Sequence, residues 1–286
     1  MDTKVCPNEW CGLEFGHLDP MEAMQLGRFD HRLFWHYFLL RCPHPGQLRF
    51  VTESEATINA LACANRYGKT TLLAGQHFHA NIYKTGAEPR YMDDDGVVDL
   101  DVFLRERYRT VHTAGEYDQV TEVHNDALQL INDSPRLKAF VKNAPLSKPP
   151  HIDFITGSRW LFRTLGDNAS GIDGKNFYLL SIDEAGWIKN LEEMMGNVLR
   201  VRVADVRGRI VIVGTFKPGI SKDFFKICRR AAAQSGVSIG LDHRADAGAD
   251  ADSEAGSLDQ ALIRYAAEFG LDLKTAIADY RRSQEL

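Results

Sequence analysis

Cys63-Ala64-Asn65-Arg66-Tyr67-Gly68-Lys69-Thr70 ends an apolar run and closes with the Gly-Lys-Thr that phosphate-binding loops use. The residue types suit that task in this order. Backbone N–H groups of such a loop wrap phosphate oxygens, Gly68 lets the main chain come close, Lys69 reaches the terminal oxygens and Thr70 holds Mg²⁺. Cys63 stands where the common signature has Gly. The context is nevertheless strand, loop and helix: Ile58, Leu61, Ala62 and Cys63 predict a short buried strand, and Thr71-Leu72-Leu73-Ala74 opens a helical segment through about Tyr83. The alternative is an ordinary helix N-terminus that happens to carry Gly-Lys-Thr.

A second apolar run, Phe177-Tyr178-Leu179-Leu180-Ser181-Ile182, delivers Asp183-Glu184 at its carboxyl end. Adjacent acids there suit hydrolysis: Asp183 for the Mg²⁺ shell and Glu184, one residue further, to polarise an attacking water. Asp183-Glu184-Ala185-Gly186 also fits the D-x-x-G of guanine-nucleotide switches, but no Asn-Lys-x-Asp occurs, which favours ATP. Gly208 to Phe216 predicts a further buried strand, ending at Thr215, whose hydroxyl would lie near Glu184 at the carboxyl edge of a parallel sheet. The plain alternative for Thr215 is a strand-terminating turn before Lys217-Pro218-Gly219.

These segments together resemble the ATPase domain of the large terminase subunit of tailed bacteriophages, the motor that packages DNA into procapsids. Ala64 to Thr70 is similar to that family's deviant Walker A, including an Arg two residues before the Gly. Leu179 to Ala185 is similar to its Walker B with the adjoining catalytic Glu, and Val213-Gly214-Thr215 to its coupling motif. Pro43-His44-Pro45-Gly46-Gln47 resembles the adenine-recognising segment upstream of the loop; a side-chain amide can meet both a donor and an acceptor on adenine. A solvated loop residue is the equal alternative for Gln47. The resemblance covers roughly residues 40 to 230 and lies in order and spacing more than in any one motif.

The resemblance implies an α/β fold, a P-loop NTPase of the class with a catalytic Glu, with a mainly parallel central sheet flanked by helices and an additional strand beside the P-loop strand. It implies ATP and Mg²⁺ as cofactors, held by Gln47, Asn65, Arg66, Tyr67, Gly68, Lys69, Thr70 and Thr71, with Thr70 and Asp183 at the metal. Glu184 would activate water, Arg66 would stabilise transition-state charge, and Thr215 would couple hydrolysis to motion. Arg202 is a second arginine for the charge. The implied partners are double-stranded DNA, a portal and procapsid, a small terminase subunit, other copies of this chain in a ring and a separate nuclease chain. The implied setting is the host cytoplasm. Two other functions stay open: a helicase-like DNA-remodelling ATPase, and a nucleotide-binding assembly subunit that does not hydrolyse.

Between the motifs, Tyr108 to Ala114 predicts a strand and Tyr117 to Ile131 a helix with apolar positions at Val120, Val123, Ala127, Leu128 and Ile131. Ile152 to Phe162 predicts a hairpin turning at Gly157-Ser158. The aromatic stretch from Gln25 to Leu40 predicts a helix packed on the core or against another subunit. Residues 1–40 then form an appendage, 41–236 the ATPase domain, and 237–286 an acidic linker and C-terminal helix. About seventy residues follow Thr215, too few for the nuclease fold of a full-length large terminase, so no nuclease activity is expected.

The 286 residues are 44% hydrophobic, enough for one large α/β domain with appendages. No apolar run approaches a membrane span and the N-terminus has no signal-like segment. A net charge of −5 argues against coating nucleic acid by bulk electrostatics, though a local basic face suffices for a motor. Arg105, Arg107 and Arg109, or Arg200, Arg202, Arg207 and Arg209, are candidates. Five cysteines disfavour a disulfide framework. Cys6 and Cys11, near His17, lack the C-x-x-C pair of most zinc sites and read as free thiols. His77 and His79 point to different helix faces, and Asp93-Asp94-Asp95 reads as an acidic loop.

Overall fold

Short runs of branched apolar residues that are buried on both faces can only be satisfied in a sheet covered on each side. The computed structural model, which describes residues 6, 8, 11, 13, 14, 18–53, 56–63, 66–85, 108–145, 149–166, 169–172, 174–216 and 221–233, has that architecture. Seven strands run β1 (Ile58–Ala62), β2 (Arg109–Ala114), β3 (Val141–Asn143), β4 (His151–Phe154), β5 (Arg159–Thr164), β6 (Leu179–Ile182) and β7 (Arg209–Gly214). They lie side by side in the order β1-β7-β6-β2-β5-β4-β3. The first five in this order are parallel, while β4 and β3 extend the sheet antiparallel beyond β5. The expected additional strand beside the P-loop strand is β7, between β1 and β6.

Alternation along the strands sorts the core into two layers. Val211 and Val213 of β7, with Leu61 of β1, join the cluster under α4 (Lys69–Tyr83) and α5 (Tyr117–Asp133). Ile210 and Ile212, with Ala60 and Ala62, join the opposite cluster under residues 191–204 and α9 (Lys222–Ala233). Helix α5 is fixed at its start by a reciprocal cap in which the Glu116 N–H donates to Gln119 Oε1. Its buried face uses Leu130, with Leu128 only half-buried.

The aromatic stretch is not one helix. It breaks into α1 (Pro20–Gly27), α2 (His31–Phe34) and a π-helical turn over Trp35–Leu39. The cause is local: Asp30 accepts from the N–H groups of Arg32 and Leu33 and so starts a new helix within the stretch. Phe34 then packs edge-on to His79 and Tyr83 of α4, which puts these aromatics on the core as expected. α3 (Pro45–Glu53) follows and leads into β1. The stretches 86–107 and 234–286 lie outside the described residues, and with them Arg105, Arg107, the Asp93–Asp95 run, the acidic linker and the C-terminal helix. Among the described residues no helix is long and apolar enough to cross a membrane.

Candidate active site

Parallel strands aim their carboxyl ends at one edge, so β1, β7 and β6 place the P-loop, Thr215 and Asp183-Glu184 together. The pairing of β1 with β7 continues past Ala62, because the Cys63 N–H donates to the Gly214 carbonyl at 3.1 Å. Cys63 is buried and its backbone lies outside the left-handed region, so the position tolerates a side chain. The left-handed turns fall later, at Arg66 (φ 65°) and Gly68 (φ 80°). At Gly68 the conformation suits glycine, and it ends the loop at the first residue of α4. At exposed Arg66 it is strain held by the loop.

Lys69, 8% exposed, is the hub: its Nζ lies 3.4 Å from Glu184 Oε1 and donates to Thr215 Oγ1 at 3.1 Å. Three segments far apart in sequence are thus tied through one ammonium. Glu184 itself has a left-handed backbone (φ 48°), a strained conformation of the kind that collects at working sites. Asp183 is buried, its N–H held by the Thr113 carbonyl and its carboxylate accepting from the Glu184 N–H at 2.7 Å. Burial pushes its carboxyl up to about 6; the Glu184 charge adds to this, while that N–H bond and Lys69 oppose it. A buried carboxylate held above its usual range is the environment in which a cation is favourable, and Asp183 with the Thr70 hydroxyl would offer the oxygen donors that Mg²⁺ takes.

A sign follows for stability. Because the folded carboxyl titrates near 6 and the unfolded one near 3.8, the native state binds the proton more tightly, and stability falls as pH rises between those values. Asp183→Asn should therefore raise the melting temperature of the nucleotide- and metal-free protein well above pH 6 and change it little near pH 4. An equal or lower melting temperature at the higher pH would show that the burial cost is absent.

The other expected site residues distribute as follows. Gln47 is buried, and its amide is engaged with the loop: Nε2 donates to the carbonyls of Gly68 (3.1 Å) and Tyr67 (3.4 Å), while Oε1 accepts from the His44 N–H (3.0 Å). His44 Nε2 also reaches the Tyr67 carbonyl at 3.0 Å, and its ring meets the Tyr67 ring edge-on. His44 has no role in the sequence reading; its Pro-His-Pro-Gly-Gln setting was the available signal. Thr70 and Thr71 occupy the first turn of α4. Asn65 lies outside the described residues.

Arg202 is not brought to the site. It sits in α8 (Arg200–Ala204), its carbonyl accepts from the Phe177 N–H, and α8 feeds the amino end of β7, a strand's length from Thr215. Arg109, Arg207 and Arg209 share that amino edge. Ser221 was not legible: its Oγ donates to the Gly186 carbonyl at 2.8 Å, bracing the turn after Glu184. His77 and His79 do separate, His77 to Ser181 and His79 to the Arg28 carbonyl.

No protein-family model and no curated protein sequence matches the chain. The solved structures do: the HK97 bacteriophage large terminase superposes over 77% of this chain with a TM-score of 0.55 at 16% identity. The chain has the fold of a phage large terminase. It spans 45% of the HK97 chain. The ATPase domain of the Thermus phage P74-26 large terminase is similar at 14% identity, over 67% of this chain and 71% of that one, with a TM-score of 0.48. The large terminase of a thermophilic bacteriophage matches at 11% identity over 75% of this chain and 49% of its own, with a TM-score of 0.45. In this large-terminase fold, the edge that carries Lys69, Asp183, Glu184 and Thr215 is the carboxyl edge of the parallel strands.

Proposed function

We propose that the chain is the ATPase motor subunit of a viral DNA-packaging machine, hydrolysing ATP to move double-stranded DNA into a procapsid. The observation that carries this reading is the contact of Lys69 with both Glu184 and Thr215. A cation that binds the terminal phosphate, a carboxylate that polarises water and a hydroxyl at the head of the next segment are what a hydrolysis-driven motor must link.

Lys69 and the loop N–H groups, including those of Gly68, Thr70 and Thr71, bind the phosphates. Tyr67, buried, and Gln47 set the loop; the Gln47 amide can read adenine's edge by trading its bonds to the loop carbonyls. Asn65 belongs to the same loop. Thr70 and Asp183 hold Mg²⁺, which supplies charge neutralisation on the phosphate oxygens. Glu184 takes the proton of the attacking water. Arg66, exposed on the loop, reaches the developing charge on the phosphoryl oxygens. Thr215 senses whether Lys69 is engaged elsewhere.

The partners that follow are double-stranded DNA, a portal on a procapsid, a small terminase subunit and neighbouring copies in a ring. All act in a host cytoplasm. The test is Mg²⁺-dependent ATP turnover by the purified chain with and without double-stranded DNA. Turnover that DNA stimulates is expected. Stimulation equally by single strands would favour a helicase-like remodeller, and ATP binding without turnover, even with portal added, would favour an assembly subunit.

A further inference from the structure

Four soft or borderline ligand atoms converge in the N-terminal part of the fold. The Sγ atoms of Cys6, Cys11 and Cys42 and one ring nitrogen of His36 all lie within 4.8 Å of one another. Cys6 Sγ is 3.5 Å from Cys42 Sγ, and Cys11 Sγ is 3.1 Å from His36 Nε2. A tetrahedral zinc with Zn–S near 2.3 Å and Zn–N near 2.0 Å requires edges of roughly 3.8 Å between two sulfurs and roughly 3.5 Å between sulfur and nitrogen. The cluster is within a few tenths of an ångström of those edges at both measured pairs.

The backbone is arranged for this convergence. The Cys6 N–H donates to the Leu13 carbonyl and the Cys11 N–H to the Asn8 carbonyl, which folds the two thiols onto one tight loop. His36 sits in the π-helical turn Trp35–Leu39, and Leu40 follows with a left-handed backbone (φ 53°) that brings Cys42 back beside it. Wide turns of this kind gather at functional sites because they re-aim a side chain. Cys6, Cys11 and His36 are buried and Cys42 is half-buried, so the atoms are withdrawn from water without being spread through an apolar core. Two of the five cysteines, Cys63 and Cys228, lie elsewhere, in the P-loop strand and α9.

We propose that Cys6, Cys11, His36 and Cys42 bind one structural Zn²⁺. Three thiolates and an imidazole make a closed set with no position left for water or substrate, which is the composition of a structural and not a catalytic site. Softness of the donors selects zinc over Mg²⁺ or Ca²⁺. The ion joins Cys6 and Cys11 to the aromatic segment that packs on α4, beside the packing of Leu13 against the core. Cys6 and Cys11 are free thiols in the structure, as expected, and the proposal gives them a shared ligand. His17 lies outside the described residues, and the imidazole in the cluster comes from His36.

The full chain, purified without chelator from zinc-supplemented cells, should carry about one Zn²⁺ per chain by elemental analysis. Exchange with Co²⁺ should give the intense visible bands of a tetrahedral ion and a thiolate-to-metal charge-transfer band. Cys11→Ser should lower zinc occupancy at least about tenfold, and Cys11→His, which restores a ligand, should recover most of it. Cys228→Ala should leave it unchanged. Wild-type protein with little zinc and no tetrahedral cobalt spectrum would overturn the proposal, whether or not the variants fold. So would a Cys6–Cys42 disulfide found by thiol titration of freshly purified, denatured protein. Neither readout involves nucleotide, so the outcome is independent of the proposed motor activity.

Discussion

Glu184→Gln is expected to lower ATP turnover by about 10²- to 10⁴-fold while leaving ATP binding within a few-fold of wild type. Gln keeps the size and the left-handed backbone burden of Glu184, so the change removes the base without changing the shape of the side chain. It also removes the charge that faces Lys69 at 3.4 Å. Loss of that partner leaves the ammonium on Thr215 and solvent, and so does not weaken its attraction to phosphate. The measurement is steady-state turnover beside a direct binding titration. Turnover within a factor of about two of wild type would remove Glu184 from the chemistry.

Gly186→Ala should be among the most damaging small substitutions at the described glycines. A Cβ at Gly186 would lie 2.0 Å from the Thr215 carbonyl oxygen, 3.2 Å from its carbonyl carbon and 2.9 Å from Ser221 Oγ. Gly214 is closed in from the other side, with a Cβ position 2.9 Å from the N atoms of Ala185 and Gly186. The turn after Glu184 therefore lies flat on the exit of β7, backbone on backbone, with no flexible side chain to give way. Forcing it apart should cost about 3 kcal/mol, or a melting-temperature drop of roughly 6–12 °C for a domain of this size. Gly196→Ala, where the added methyl meets nothing within 4 Å, is the control and should be neutral. A Gly186→Ala protein that melts within about 1 °C of wild type would mean that the two turns are free to separate. Because Thr215 and Glu184 share Lys69, the same variant should also lose turnover.

The parts of the molecule legible in the sequence are those whose signal is local. The loop from Cys63 to Thr70, the acids after Ile182 and the threonine after Gly214 each sit at a strand end that apolar residues announce, and the sheet gathers them at one edge. Strand order was not written in any motif: the resemblance implied an extra strand beside β1, but that β7 fills this place, between β1 and β6, came to light only in three dimensions. β3 was missed because its side chains are largely exposed and offer no pattern. The break at Asp30 was hidden by the aromatic run around it, since a cap needs only one carboxylate and two free N–H groups. The thiol–imidazole cluster was hidden for a different reason. Cys6 and Cys11 find their partners at His36 and Cys42, and spacing rules built on close pairs do not reach across a helix and a π-turn. Arg202 illustrates the converse: proximity to the coupling strand in sequence placed it at the wrong end of that strand.

The bridge from Lys69 to Glu184 and Thr215 also bears on what the protein does while idle. With its lysine occupied by Glu184, the carboxylate proposed to activate water is already engaged in the resting site. In the proposed motor, phosphate entering the loop would compete for that ammonium, and in winning it would release Glu184 and the Thr215 hydroxyl in a single event. Fuel and trigger would then be the same contact, an interlock that leaves little scope for firing out of turn.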